Sequence, residues 1–155
     1  MELLFRFCIY SMIGLTGEII FSVVGLKYTL GYELKRRVSK KYLEGFVSLY
    51  MIPVYGLFLL FIFEPISLEI SDWNFLFKFI FWGVSFVALE FVVGCLFDMV
   101  FKFYPWDFYD KSKYKIFGMA YSLWTYIPVW GFYGLLLERI VKIIYGISPY
   151  IISVI

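Results

Sequence analysis

The chain has 155 residues, of which 63% are hydrophobic, 25% are aromatic and only 17% are charged. Soluble domains contain about 45–50% apolar and about 25% charged residues, so this composition excludes an ordinary soluble domain and is typical of a membrane protein. The net charge of +2 is too small to indicate a nucleic-acid partner, and with no histidine the chain lacks the commonest general base and metal ligand.

Four apolar stretches are long enough, or nearly so, to cross a bilayer, which takes roughly 20 helical residues. They cover residues 3–26, 46–63, 75–101 and 117–137, with an acidic, turn-rich link at 64–72. We therefore predict an all-α fold, a four-helix transmembrane bundle forming one integral membrane domain over residues 1–155. The apolar tail, 138–155, is short for a fifth span, so it either extends the fourth span or lies as a helix in the membrane interface.

Basic residues are concentrated in two of the predicted loops. Because Lys and Arg favour cytoplasmic loops, this pattern predicts that both termini lie outside and that the protein sits in the plasma membrane. The first loop either only fixes this topology or also docks anionic lipid or a partner. The first loop holds Lys27, Lys35, Arg36, Arg37, Lys40 and Lys41, and the third holds Lys102, Lys111, Lys113 and Lys115.

Three carboxylates lie inside the apolar stretches: Glu18 in the first, and Glu90 and Asp98 in the third. A charge at membrane depth costs roughly 2.5–3.5 kcal/mol on insertion scales, so such a group usually has a partner or a role. Gly14 shares a helix face with Glu18, and Gly94 lies between Glu90 and Asp98 at four-residue spacing. We predict that the first and third spans pack together through these two glycines.

Other polar and turn-forming residues accompany these acids. Pro53 would perturb the second span and free a backbone carbonyl, and a Pro-Trp-Asp run marks the third loop. In the predicted topology these groups gather in the cytoplasmic half of the bilayer. They form either a polar cavity opening inward or a hydrogen-bonded cluster that only locks the bundle. The candidate binding residues are Glu18, Glu90, Asp98, Asp107, Trp106, Tyr55 and Tyr121, and the candidate structural residues are Gly14, Gly94, Pro53 and Pro105.

Within this group, Glu18 and Glu90 are predicted to face one shared site, with Asp98 and Asp107 nearer its mouth. Two acids in a low-dielectric site do not both ionise cheaply, so at least one should hold a proton or pair with a cation. Tyr55 and Tyr121 are the predicted hydrogen-bond donors. Arg6, about 18 Å from Glu18 along a helix rising 1.5 Å per residue, is interpreted as an interfacial anchor near the outer surface.

Several short motifs occur in a recognisable order: Tyr10-x-x-x-Gly14-x-x-x-Glu18, Gly45-Phe46, Pro53-Val54-Tyr55-Gly56, Leu89-Glu90-Phe91, Pro105-Trp106-Asp107-Phe108 and Gly118. In these the chain resembles the bacterial proteins called putative ABC-transporter permease type IV, or CmpB-like, over residues 10–138. It is also similar to the eukaryotic transmembrane protein 229 group in Glu90-Phe91-x-x-Gly94 and Pro105-Trp106-Asp107. Where the bacterial family has Trp-Asp-Tyr-Ser, this chain has Trp106-Asp107-Phe108-Tyr109. The resemblance implies a four-helix membrane protein.

Three functions remain open at this point. The first is a transport or permease-like protein whose carboxylates bind a cation or relay protons. The second is a non-catalytic helper subunit that binds a partner in the bilayer. The third is a membrane-embedded, lipid-modifying enzyme, against which the lack of a nucleophile–base pair and of an HExxH motif weighs.

No cofactor and no metal site is predicted, and the two cysteines, Cys8 and Cys95, are interpreted as small core residues. The expected partners are membrane lipids and either further copies of the chain or a second membrane subunit, because so short a chain would not enclose a pathway alone.

Overall fold

A computed structural model describes residues 1–35, 38 and 40–154, and these are mostly helical. Three helices are long and apolar enough to span a membrane: Glu2–Val24 (α1), Met51–Glu69 and Phe75–Phe101 (α5). The prediction of a helical chain with membrane-spanning segments is therefore confirmed, although the described residues include three such helices rather than four. Arg36, Arg37 and Ser39 of the basic loop lie outside the described residues. The short helix Leu26–Leu30 (α2) follows α1, and a 3₁₀ turn covers Lys40–Tyr42.

The second long helix differs in position from the predicted span 46–63. It consists of Met51–Phe58 (α3), a π-helical turn Leu59–Phe63, and Glu64–Glu69 (α4), so it continues through most of the predicted acidic link. Pro53 lies in the first turn of α3. Backbone N–H groups in a first turn have no intrahelical acceptor, so the lack of an N–H in proline costs no hydrogen bond there, and Pro53 does not perturb the helix as predicted. The irregular turn instead precedes Pro65, whose ring cannot pack against the carbonyl four residues earlier.

The predicted fourth span, 117–137, begins in the structure as an antiparallel hairpin. Strands Lys115–Ile116 (β1) and Met119–Leu123 (β2) are joined by Phe117 and Gly118, both at positive φ. A 3₁₀ turn, Trp124–Tyr126, leads into the helix Ile127–Val154 (α6). The helix thus starts ten residues later than predicted and runs through the tail, which extends the fourth helix. It carries three charged residues in its middle, Glu138, Arg139 and Lys142.

The hairpin belongs to a larger element, residues 104–126, which we call the hairpin segment. It includes the 3₁₀ helix Asp107–Lys111 and packs against α5. Side chains also bind it to the end of α2: Ser112 Oγ donates to the Leu30 carbonyl at 2.9 Å, and Thr125 Oγ1 donates to the Thr29 carbonyl at 2.7 Å. The segment therefore covers the end of the bundle at which α1 and α5 finish and α6 begins.

The helices pack in two pairs, α5 along α6 and α1 along α3, around an aromatic core in which Phe63 stacks on Trp82. The predicted contact between Gly14 and Gly94 is wrong. A Cβ on Gly14 would lie 2.3 Å from Cγ of Tyr55, and one on Gly94 would lie 3.0 Å from Cβ of Tyr121. Each glycine makes room for an aromatic side chain of another element, so the close approach of backbones predicted from glycine alone does not occur.

Candidate functional site

A cavity of about 120 Å³ lies between α1, α3, α5, α6 and the hairpin segment. Glu18 reaches its wall from α1 and Glu90 reaches it from α5. The remaining wall consists mainly of apolar and aromatic side chains, in contrast to the predominantly polar cavity predicted. Two carboxyl groups therefore share one small, largely apolar space.

Glu18 is bound by the tyrosine predicted as its donor. The Tyr55 hydroxyl donates to Glu18 Oε2 at 2.8 Å, across the contact between α1 and α3. Gly14, one turn before Glu18, leaves the space that the Tyr55 ring occupies. The four-residue spacing of Gly14 and Glu18 thus places a gap for the ring and an acceptor for its hydroxyl on one helix face.

Glu90 is bound by two donors from the hairpin segment. The Tyr109 hydroxyl donates to Oε1 at 2.8 Å and Ser122 Oγ donates to Oε2 at 2.5 Å. Burial first, and then the negative charge of Glu90, raise the pKa of the Tyr109 hydroxyl above its ordinary value, so this group keeps its proton and donates. The sequence reasoning did not select Tyr109. Tyr109 follows Trp106 by three residues, which is one turn of a 3₁₀ helix. This spacing is the signal that would have placed the Trp106 and Tyr109 side chains on one helix face.

The seven candidate binding residues divide into two groups. Glu18, Glu90, Tyr55 and Trp106 line the cavity, with Trp106 held by a 2.7 Å hydrogen bond from its Nε1 to the Tyr121 carbonyl. The cavity wall does not include Asp98, Asp107 and Tyr121. The Tyr121 hydroxyl donates to Asp98 Oδ2 at 2.7 Å, and Asp107 is exposed at the start of its 3₁₀ helix, two residues after Pro105.

Arg6 is buried and paired, so its interpretation as an interfacial anchor is wrong. Its guanidinium group binds Glu64, and the Tyr10 hydroxyl donates to the other oxygen of Glu64 at 2.5 Å. The guanidinium carbon also lies 5.1 Å from the centre of the Tyr145 ring. Glu64 was assigned to the acidic link, and 58 residues separate it from Arg6, which explains why spacing alone did not reveal the pair.

A second buried ion pair joins α5 and α6. Lys78 Nζ lies 2.7 Å from Glu138 Oε1, and Lys142 Nζ lies 3.1 Å from the same oxygen. Lys78 also donates to the Ser71 carbonyl at 2.6 Å. Glu64 and Glu138 are therefore compensated by basic side chains. Glu18 and Glu90, by contrast, accept from hydroxyl groups, and among the described residues no Lys or Arg nitrogen lies within 4.0 Å of either.

The described residues contain no cluster of metal-ligating side chains. Within residues 1–35, 38 and 40–154, no group of three or more Cys, Asp or Glu side chains could hold a metal ion. Cys8 is exposed and Cys95 is half-buried, and both are free thiols.

Three helices that are long and apolar enough to span a membrane indicate a helical integral membrane protein. The family model described as putative ABC-transporter type IV matches residues 5–154, and the chain belongs to this family. The resemblance to the bacterial family is thereby confirmed, and the likeness to the transmembrane protein 229 group stays a prediction. Searches of the curated proteins and of the solved structures found no match.

Proposed function

We propose that this protein is a permease-like transporter that binds a positively charged substrate at Glu18 and Glu90. One observation carries the proposal: both carboxyl groups line the same small cavity, and no described basic side chain neutralises either of them. Carboxylates beside apolar walls need a compensating charge. A proton supplies it in the empty site, and a bound cation supplies it during transport.

The proposed arrangement in the membrane has four crossing helices, with α6 as the fourth and its Glu138 paired with Lys78 and Lys142. This arrangement places both termini outside and the hairpin segment at the cytoplasmic face of the plasma membrane. The basic loops support this orientation. A hydrogen bond from Ser148 Oγ to Glu2 Oε1, at 2.9 Å, supports placing the two ends of the chain on the same side. The cavity then lies in the cytoplasmic half, and the two buried ion pairs close the outer half.

A non-catalytic helper subunit is the second candidate. Tyr50, Phe97, Phe101 and Phe103 form an aromatic group with ring centres 5.4–6.4 Å apart, and all but Phe97 are exposed. Such a surface suits a membrane-embedded partner or a further copy of the chain, and a chain this short needs one of these to enclose a pathway. We rank the lipid-modifying enzyme last, since the described acids form no group that could hold Mg²⁺.

The proposed topology predicts opposite accessibility for two exposed positions. In a background lacking Cys8 and Cys95, we expect Asp72→Cys to react with a membrane-impermeant thiol reagent in intact cells. Tyr42→Cys should react only after the membrane is permeabilised, because it lies in the basic loop. Labelling of Tyr42→Cys from outside together with protection of Asp72→Cys would contradict this orientation.

The proposed site predicts that transport depends on both carboxyl groups. In liposomes loaded with a pH-sensitive dye, we expect the reconstituted protein to release protons when a gradient of Na⁺, K⁺ or choline is imposed. Glu18→Gln and Glu90→Gln should each slow this flux about tenfold or more, which corresponds to about 1.4 kcal/mol. Glu69→Gln, at an exposed position, is the matched control and should resemble the wild type. Equal flux in all four proteins, or none with any cation, would favour the helper subunit.

A further inference from the structure

We infer that the cavity selects a small organic ammonium ion, a quaternary amino alcohol in chemical class, over a metal cation. This inference rests on the proposed function, which assigns Glu18 and Glu90 to the substrate, and it adds the chemistry of that substrate. Three features of the described residues around the cavity carry it: the aromatic wall, the presence of only two acids, and one donor without a hydrogen bond of normal geometry.

The aromatic wall is continuous. Trp106, Tyr109, Tyr126, Trp130 and Tyr133 all line the cavity. Each ring contacts the next in this order, with centroid distances of 6.5, 5.4, 6.2 and 5.7 Å. Aromatic side chains around a quaternary ammonium group are a recurring means of recognising it, because the ring quadrupole attracts a cation that holds its water weakly. Two carboxyl groups in the same cavity add the negative charge.

Of the described residues, only two acids, Glu18 and Glu90, line the cavity. Ca²⁺ takes six to eight oxygen ligands and Mg²⁺ demands an octahedral set, whereas the described residues contain no group of three acids or thiols that could bind a metal. Aromatic and aliphatic walls cannot replace the water that such an ion would lose. Methyl groups on nitrogen need no oxygen shell, and their burial against the same walls is favourable.

Trp130 provides a donor that has no hydrogen bond of normal geometry within the described part of the chain. Its Nε1 is buried beside the Glu90 carboxyl group and makes no hydrogen bond of normal geometry with the described residues. Buried N–H groups seldom remain unpaired in the presence of their ligand. The hydroxyl oxygen of an amino alcohol would accept from this group. The ammonium charge would then neutralise one of the two carboxylates, and the other carboxyl group would keep its proton.

The test is a matched pair of ligands that differ only in charge. Choline and 3,3-dimethylbutan-1-ol have the same shape, and the second has carbon in place of the charged nitrogen. Isothermal titration of the wild-type protein in lipid nanodiscs should show choline binding at least about tenfold more tightly than the neutral alcohol, or about 1.4 kcal/mol. K⁺ and Mg²⁺, titrated as their chlorides, should bind more weakly than choline. Because this comparison uses only the wild type, it does not depend on how a variant folds.

Variants then assign the binding to the cavity. Glu18→Gln and Glu90→Gln should weaken choline binding about tenfold or more, while Glu69→Gln should leave it unchanged. Thermal melting of each variant shows whether it is folded. No binding of choline, equal binding of the neutral alcohol, tighter binding of K⁺ or Mg²⁺, or full choline affinity in folded Gln variants would each overturn the inference.

The inference and the proposed function fail in different ways. Choline binding that depends on Glu18 and Glu90 but drives no flux in liposomes would overturn the proposed transport and support the ammonium site. Flux with Na⁺ or K⁺ that depends on the same carboxyl groups, without choline binding, would support transport and overturn the ammonium site.

Discussion

Glu64→Gln is expected to destabilise the protein by about 3–5 kcal/mol, the typical cost of removing one partner of a buried ion pair. Arg6 is only 8% exposed and Glu64 only 6%, so the guanidinium group would stay buried after losing its carboxylate. Tyr10 would also lose the charged acceptor of its hydroxyl group. Glu2, 3.6 Å from Arg6, has a side chain that is 38% exposed and would compensate only weakly. The free energy of unfolding, measured by titration with a denaturing detergent, checks this value.

The double variant Arg6→Met with Glu64→Leu separates charge burial from packing. Replacing a buried ion pair by apolar side chains of similar volume is often neutral or stabilising, so we expect the double variant to be less stable than the wild type only by the cost of the unpaired Tyr10 hydroxyl, about 1–3 kcal/mol. Glu69→Gln, an exposed acid on the same helix as Glu64, should change the free energy by no more than about 0.5 kcal/mol. A double variant as unstable as Glu64→Gln alone would show that an unpaired charge is not the cause.

Gly14→Leu should produce the second large effect, a loss of about 1–3 kcal/mol or more from overpacking. Even a Cβ at this position would lie 2.3 Å from Cγ and 2.6 Å from Cβ of Tyr55, and these atoms lie near the α3 backbone and cannot swing away. Relief requires α1 and α3 to separate, which would also break the hydrogen bond from Tyr55 to Glu18. We therefore expect lower thermal stability together with weaker cation binding.

Gly146→Leu is the matched control for that substitution. Gly146 lies within α6, and a Cβ there would have no neighbouring atom within 4 Å. Replacing a glycine inside a helix removes an entropic cost of roughly 0.5–1 kcal/mol, so this variant should be unchanged or slightly more stable. Similar melting temperatures for the Gly14 and Gly146 variants would contradict the contact between Gly14 and Tyr55.

Features that depend on local sequence were predicted well. The composition alone indicated a membrane protein, and the third apolar stretch, 75–101, coincides with α5 because a continuous apolar run of this length forms a helix whatever its neighbours. Glu18 and Glu90 were selected because a carboxyl group inside an apolar helix needs a partner wherever that helix packs. Tyr55 was predicted as a donor to the acidic site and donates to Glu18, whereas Tyr121, predicted with it, donates to Asp98.

Features that depend on distant residues were not predicted. Glu64 was assigned to an acidic link because its partner, Arg6, is 58 residues away in the sequence. Lys78 likewise pairs with Glu138, which is 60 residues away. Residues 117–126 are apolar enough for a helix, but packing against α5 and a turn at positive φ make them a hairpin.

The sequence by itself therefore determined the class of protein, the helix α5 and the two acids of the cavity, because hydropathy and the cost of burying charge act locally. Only the tertiary structure decided which acids pair with basic side chains and which accept only from hydroxyl groups, because that depends on side chains brought together across the whole chain.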